Sequence, residues 1–97
     1  MLPDDVVGFI TRRFSASEKA EALVLLEKAT IHDGSAPGPR LLRCAAVASG
    51  GSIERLRMEI ETLKHDYRDV IVEGEYIPKD GELVRVRNLN GPITDEV

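Results

Sequence analysis

Apolar residues recur at helical spacing through most of the chain, and the clearest stripe begins just after Ser52. Its positions are three, four and three residues apart, which places them on one face of an α-helix. Ser52 directly precedes the stripe and is a residue type that caps helix N-termini. The sequence therefore predicts an amphipathic helix after Ser52. The stripe consists of Ile53, Leu56, Ile60 and Leu63.

Two shorter helices are predicted near the N-terminus. The first opens at Pro3-Asp4-Asp5 and closes at Arg12-Arg13, so its charges complement the helix dipole at both ends. Ser15 and Glu18 have the spacing of a capping box and open a second helix. We expect that helix to end near Thr30, before a loop rich in turn-forming residues.

A third helix is predicted between that loop and the stripe. Pro39 suits the first position of a helix, and Gly50 suits the left-handed conformation that ends one. Between them lie leucine and alanine residues that can turn inward, and the small side chains allow a neighbouring helix to approach closely. The turn Gly50-Gly51-Ser52 then leads into the fourth helix.

The segment from Asp66 to Ile77 is compatible with more than one structure. His65 can end the fourth helix, and Asp66 with Asp69 forms an acidic start for a fifth, so a break at Asp66 is favoured. The apolar stripe also continues in register to Gly74, which is compatible with one long helix. The β-branched run Val70-Ile71-Val72 instead favours a strand from Val70 to Ile77.

The C-terminal part has the pattern of a β-hairpin. The turn is expected at Pro78-Lys79-Asp80-Gly81, and the residues from Glu82 to Asn88 then alternate between valine and arginine faces. The predicted pairing joins residues 73–77 to residues 82–88. A lone two-stranded ribbon is marginal in water, so its valine face must pack on the helices or pair with another chain.

These elements predict a mainly α (α+β) fold with four to five antiparallel helices and a C-terminal β-hairpin. The chain of 97 residues has room for one core, which is aliphatic because aromatic residues make up only 4%. We expect a single domain over residues 1–89, with the hairpin at about 73–88, and a flexible tail over residues 90–97.

Composition bears on location and partners. A net charge of −4 disfavours nucleic acid and anionic membrane surfaces as partners. Cys44 is the one cysteine, so an intramolecular disulfide is excluded. The longest apolar runs have four residues, and the N-terminus lacks the pattern of a signal peptide, so a cytoplasmic location is expected with no membrane span.

The helix, glycine turn and helix over residues 40–64, followed by a hairpin, suggest a winged-helix DNA-binding regulator as one alternative. Two positions disagree with that motif: Gly51 stands where an apolar residue is usual, and Glu59 where the side chain should face the core. The second helix also carries as many acidic as basic residues. An ordinary helical hairpin is therefore the favoured interpretation.

A small hydrolase that uses Cys44 or His32 is a second alternative. It requires the Cys44 thiol to be exposed and within hydrogen-bond reach of a histidine. His65 is the only other histidine, so the chain has few ligands for a metal. Neither a metal nor another cofactor is expected, and neither is a catalytic residue.

If a surface of this chain binds a partner, the most concentrated polar patch is the best candidate. It comprises the element that opens the fifth predicted helix and arginines of the preceding helical hairpin. The candidate binding residues are Arg40, Arg43, Arg55, Asp66, Tyr67, Arg68 and Asp69.

Three segments in the middle of the chain resemble a pattern found in small bacterial proteins of unknown function. They are Leu41-Leu42-Arg43-Cys44, the stretch from Gly50-Gly51-Ser52 to Arg57, and Asp66-Tyr67-Arg68-Asp69-Val70-Ile71. In that group a helix ends in a glycine-containing turn, a second helix follows, and an Asp-aromatic-Arg-Asp element opens the next helix. The resemblance implies a helix start at Asp66 and implies no catalytic residue.

Together these patterns predict a non-enzymatic protein–protein interaction module. Its partner is expected to be another protein or a second copy of the chain, because a homodimer through the hairpin would complete the sheet.

Overall fold

The computed structural model describes residues 2–93, which form five α-helices and one antiparallel β-hairpin. This confirms the predicted mainly α (α+β) fold with a C-terminal hairpin. The helices are α1 (Asp4–Arg13), α2 (Ala16–Glu27), α3 (Pro39–Ser49), α4 (Ile53–His65) and α5 (Tyr67–Glu75), and the strands are β1 (Tyr76–Lys79) and β2 (Glu82–Arg85).

Local signals determine where α3 and α4 meet. Pro39 is the first residue of α3, and Gly50 ends that helix in the left-handed region with a φ of 60°. The side chain of Ser52 accepts a hydrogen bond from the backbone N–H of Arg55 and caps α4. The predicted turn and its helix cap are therefore confirmed.

The predicted helix break at Asp66 is also confirmed. Asp66 has an extended backbone and stands between α4 and α5, and its side chain accepts the N–H of Arg68 at 3.1 Å. The competing predictions, a strand from Val70 and one continuous helix, are wrong. The reason is that the cap starts a new helix, which buries Val70 and Gly74 and runs to Glu75 before the strand begins.

The predicted capping box at Ser15 does not form. The Ser15 hydroxyl makes no hydrogen bond to the backbone of α2 and instead lies 3.3 Å from the Glu18 carboxylate. The helix still begins at Ala16 and ends at Glu27, slightly before the predicted end near Thr30. At its observed end the N–H of Lys28 donates to the carbonyl oxygen of Val24 and closes the last turn.

The core lies where α3 packs against α1, α4 and α5. All four residues of the α4 stripe are buried, as predicted. The approach of α3 and α5 is especially close, because a Cβ atom placed on Gly74 would lie only 2.7 Å from the Cα of Cys44. The fully buried residues at the centre are Val6, Ile10, Ala22, Cys44, Ala45, Ala46, Leu56, Leu63 and Val70.

The hairpin turns at Asp80-Gly81, one residue later than predicted. Both residues have positive φ, 52° and 79°, as a two-residue type I′ turn requires, and this turn matches the strand twist. Pairing therefore joins Tyr76 to Arg85 and Lys79 to Glu82, with Pro78 inside β1, and not residues 73–77 to 82–88. Residues 73–75 belong to α5 instead.

The chain after the hairpin returns to the helices. Leu89 is buried, and the backbone N–H of Ile93 donates to the Asp5 carboxylate at 3.0 Å. The predicted flexible tail, residues 90–97, is described up to Ile93, and residues 94–97 lie outside the described part.

Replacing Gly74 with alanine tests the close approach of α3 and α5. The added methyl group would overlap the backbone of Cys44, and we expect the overlap to outweigh the better helix propensity of alanine and to lower the free energy of unfolding by about 1–3 kcal/mol. Urea denaturation measures the change. Gly38→Ala is the matched control, since a Cβ at Gly38 meets nothing within 4 Å. Equal stability of the two variants would contradict this packing.

Candidate functional site

The side chain of Glu75 joins the helices to the hairpin. Glu75 is the last residue of α5 and is completely buried. Arg40 on α3 donates to both of its carboxylate oxygens at 2.9 Å, and Arg85 on β2 donates to Oε1 at 2.7 Å. The backbone N–H of Leu89 completes the set at 3.1 Å from Oε2. One carboxylate therefore holds α3, α5, β2 and the segment after β2 together.

The electrostatic environment keeps Glu75 ionised. Burial alone raises the pKa of this carboxyl, but the hydrogen bonds from Arg40, Leu89 and Arg85 outweigh it and lower the pKa to about 2. The charge is thus compensated by two guanidinium groups and satisfied by hydrogen bonds, which is the condition for burying it.

Backbone groups also join the end of α5 to the hairpin at Glu75, and we call this region the Glu75 junction. The carbonyl oxygen of Glu75 accepts the N–H of Val86 at 2.8 Å, and the carbonyl oxygen of Gly74 accepts from Arg87 Nη1 at 2.8 Å. Carbonyl groups in the last turn of a helix have no partners within the helix, so these contacts cap α5. The guanidinium group of Arg87 also complements the negative end of the helix dipole.

Cys44 lies against this junction and is completely buried. Its thiol donates to Glu75 Oε2 at 3.7 Å, and burial together with the negative charge of Glu75 raises its pKa to about 12. A buried neutral thiol is a poor nucleophile. The hydrolase alternative requires an exposed Cys44 thiol beside a histidine. The structure does not contain this arrangement.

The arginines of the predicted binding patch are engaged in different contacts. Arg40 binds Glu75, as described above, and Arg43 binds the Asp5 carboxylate at 2.8 Å and the backbone oxygen of Asn90 at 3.2 Å. Arg55 lies on the exposed side of α4. Arg40 and Arg43 therefore stabilise the fold, and the structure does not gather the three arginines into one surface.

The start of α5 does form a surface groove, of about 270 Å³. The rings of Tyr67 and His32 are stacked with their centroids 6.0 Å apart, although these residues are far apart in the sequence. Asp69 is exposed in the first turn of α5, as is the ion pair between Arg68 and Asp66. Within residues 2–93 there is no group of three side chains that could hold a metal ion. The groove is lined by His32, His65, Asp66, Tyr67 and Arg68.

A second buried carboxyl group, Glu59 on α4, has the opposite environment. Its side chain is only 4% exposed, and Oε1 has no hydrogen-bond partner among the described residues. Burial, followed by the hydrogen bond and negative charge of Glu73, raises the pKa of Glu59 to about 8, and Arg55 opposes this shift. Glu59 is therefore mostly protonated at neutral pH.

The hairpin exposes apolar side chains and one open strand edge. Because Val86 N–H donates to the Glu75 carbonyl and hydrogen-bonded pairs alternate along an antiparallel ladder, Ile77 and Val84 also form a hydrogen-bonded pair. The backbone groups of Leu83 and Arg85 consequently point away from β1. The large apolar side chains exposed here are Ile77 at 43%, Leu83 at 59%, Val84 at 39% and Val86 at 40%.

The opposite edge of the hairpin is closed to further pairing. There the outward positions of β1 are Tyr76 and Pro78. The N–H of Tyr76 already donates to the Val72 carbonyl at the end of α5, and Pro78 has no N–H. Of the two edges, that of β2 can therefore still donate hydrogen bonds at both of its outward positions, Leu83 and Arg85.

Replacing Glu75 with glutamine should destabilise the fold, because Arg40 and Arg85 would lose their shared counter-charge. We expect the free energy of unfolding to fall by about 3 kcal/mol at neutral pH, measured by urea denaturation. Glu54→Gln is the control, since Glu54 is exposed on α4. A loss no larger than that of the control would contradict the anchoring role of Glu75.

The difference in the free energy of unfolding between wild type and Glu75→Gln is predicted to depend on pH. The pKa of Glu75 is lowered to about 2 from 4.5, so its contribution is fully present above about pH 4.5 and is lost as the pH falls towards about 2. The stability difference between wild type and Glu75→Gln should therefore shrink over that window. A difference that stays constant down to about pH 2.5 would contradict the assigned ionisation.

The raised pKa of Glu59 leads us to predict that the fold loses stability as the pH rises, opposite to the effect of Glu75. Because its pKa is raised to about 8, the folded state holds a proton that the unfolded state releases near pH 4.5, and stability falls as the pH rises through that interval. We expect a fall on the order of 2 kcal/mol between about pH 5 and pH 9 that Glu59→Gln removes. Glu73→Gln should reduce the fall, since it removes the neighbouring negative charge. Parallel pH profiles for wild type and Glu59→Gln would contradict this reading.

Comparison with known proteins leaves the site to be judged from its own geometry. No protein-family model matches this chain, and no curated protein or solved structure matches it. The resemblance to small bacterial proteins of unknown function therefore stays a prediction.

Proposed function

We propose that this chain is a non-enzymatic protein-interaction module that binds a β-strand along the open edge of β2. The observation that carries the proposal is the hairpin, which combines a free backbone edge with four exposed aliphatic side chains. Strand addition uses both features, because the edge supplies hydrogen bonds and the side chains supply apolar contact area.

The exposed apolar residues support this function because they are concentrated. An isolated exposed leucine or valine is common, but Ile77 and Val84 are directly paired across the hairpin, and Val86, just after β2, lies on the same face. Leu83 is exposed on the opposite face. Three exposed aliphatic side chains on one face of a short hairpin are typical of an interaction surface.

The attachment of the hairpin supports it as well. A free two-stranded ribbon would be disordered before binding and would lose affinity through the entropy of ordering. Here Glu75 binds Arg85 on β2, and the Glu75 carbonyl binds Val86. The edge is therefore held in an extended conformation before a partner arrives.

The pattern of edge protection favours β2 in particular. Proteins protect exposed strand edges with proline, charged residues or bulges. Pro78 protects β1, whereas the outward positions of β2 are Leu83 and Arg85, and the guanidinium group of Arg85 is turned to Glu75. The partner is proposed to be a protein segment in extended conformation, and the compartment suggested by the composition is the cytoplasm.

None of the described helices is long and apolar enough to cross a membrane.

A peptide-display experiment tests this function. Random heptapeptides would be selected on the wild-type chain, and binding of each selected peptide would be measured on wild type, Leu83→Pro and Leu83→Ala. Leu83→Pro removes an N–H that faces outward, so we expect it to keep the hairpin but weaken binding by about tenfold or more. Leu83→Ala keeps the N–H and should weaken binding less.

Amide chemical shifts locate the bound peptide. Addition of a strand should move the amide signals of Leu83 and Arg85 more than those of Ile77 and Val84, whose N–H groups already lie inside the hairpin. Thermal unfolding verifies that Leu83→Pro stays folded. Failure to select any peptide on a monomeric chain, or equal binding to wild type and Leu83→Pro, would contradict the proposed function.

A further inference from the structure

We propose that the strand bound at this edge is β2 of a second copy of the chain, paired antiparallel about a two-fold axis at Val84 to form a four-stranded sheet. This inference rests on the proposed function and specifies its partner. It is carried by the number of open edges, by the register that the edge permits, and by the side chains that this register brings together.

The number of open edges favours a closed dimer. A hairpin with two competent edges could add copies without limit and form a fibre. In this chain the outward positions of β1 lack available N–H donors, because Tyr76 caps α5 and Pro78 has no N–H. One competent edge on each copy is satisfied by one partner, and two-fold symmetry then closes the assembly.

The alternation of backbone groups limits the possible registers. In a two-fold antiparallel pair, outward-facing residues of one copy must lie opposite outward-facing residues of the other. Leu83 and Arg85 are the outward-facing residues of β2, so the choices are Leu83 with Leu83, Arg85 with Arg85, or Leu83 with Arg85. The two-fold axis lies at Leu83 in the first register, at Arg85 in the second and at Val84 in the third.

Two of these registers are unfavourable. An axis at Arg85 places Leu83 opposite Arg87, which lies beyond β2 and whose N–H already donates to the Glu75 carbonyl. An axis at Leu83 places Arg85 opposite Gly81 of the turn, so pairing ends before the end of the strand. The axis at Val84 pairs residues 82–86 of one copy with residues 86–82 of the other and uses the full strand.

This register also gathers the exposed aliphatic side chains. Val84 of each copy lies opposite Val84 of the other, and Ile77, the hairpin partner of Val84, extends the row on both sides. Leu83, which is 59% exposed in the single chain, lies against the aliphatic stem of Arg85 of the second copy. Each exposed residue of β2 thus gains an apolar neighbour.

The charges of the strand tolerate this pairing. Each Arg85 guanidinium is bound by Glu75 of its own chain at 2.7 Å, so the two arginines do not face each other as uncompensated charges. Glu82 is the hairpin partner of Lys79 and has an opposite charge beside it within its own chain. No charged residue of β2 needs to be buried without a counter-charge.

The interface involves about five residues of each strand and is smaller than a standard stable interface of about 1,600 Å². We therefore expect reversible dimerisation with a dissociation constant of about 1 µM or higher. Analytical ultracentrifugation from about 1 µM to about 500 µM should show conversion of monomer to dimer. Leu83→Pro should move the midpoint to higher concentration by about tenfold or more.

Disulfide trapping tests the register directly. In a non-hydrogen-bonded antiparallel pair the Cα atoms are about 4.5 Å apart, which is within the range that a disulfide bridges. Val84→Cys should therefore form a covalent dimer rapidly under mild oxidation. Ile77→Cys is the matched control: it is on the same face, directly paired with Val84, but would lie three strand spacings, about 14 Å, from Ile77 of the second copy.

The wild-type chain controls for Cys44, which is buried. We expect Val84→Cys to cross-link at least about tenfold faster than Ile77→Cys at the same concentration. Equal rates would indicate that the hairpins pack face to face and would overturn the proposed register. A strict monomer up to about 500 µM would overturn the dimer altogether.

These results separate this inference from the function on which it rests. If displayed peptides bind the β2 edge but the wild-type chain stays a monomer and Val84→Cys does not cross-link, the partner is a different protein and only the dimer is wrong. If neither peptides nor a second copy bind the edge, both proposals are wrong.

Discussion

The fold depends on a negative charge that is buried and fully compensated. The Glu75 carboxylate has no solvent contact, and its two oxygens receive hydrogen bonds from Arg40, Arg85 and the backbone of Leu89. Burying a carboxylate is costly unless charge and hydrogen bonds replace the lost water. Three separate parts of the chain must therefore meet at one point before this carboxylate can be buried, and the hairpin is fixed to the helices as a consequence.

The small residues of α3 and α5 make this arrangement possible. Gly74 lies directly against the backbone of Cys44, so α5 can approach α3 closely enough for Glu75 to reach Arg40. Glu59 shows what happens when a buried carboxyl lacks such partners. It faces Glu73 and has an unsatisfied oxygen, and its pKa rises to about 8, whereas that of Glu75 falls to about 2. The number of positive charges and donors around each group accounts for the difference.

The helices could be predicted from the sequence because their signals are local. Periodicity gives the buried face of α4, and the caps at Ser52 and Asp66 give two of its boundaries, since a cap depends only on residues a few positions away. The predicted turn begins one residue too early because Pro78 is a common turn former, although the Asp80-Gly81 pair is the stronger type I′ signal.

The contacts of Glu75 with Arg40, Arg85 and Leu89 cannot be predicted from the sequence, for a physical reason. A buried carboxylate cannot be distinguished in sequence from a surface carboxylate until its distant partners are known, and Arg40 is 35 residues away. The weak signal was position: Glu75 follows Ile71 by four residues, on the packed side of α5, where an apolar residue would be usual. The same difficulty applies to Tyr67 and His32, whose stacking depends on the tertiary fold.

The ion pair of Glu75 and the open edge of β2 are connected through one residue, Arg85. The side chain of Arg85 binds Glu75, while its backbone N–H and C=O point outward from β2. This division follows from strand geometry, in which side chains leave perpendicular to the sheet and backbone groups lie in its plane. The Arg85 side chain stays 40% exposed, but its ion pair with Glu75 compensates the positive charge that would otherwise protect the edge. The interaction that fixes the hairpin to the helices therefore leaves β2 open to a second strand.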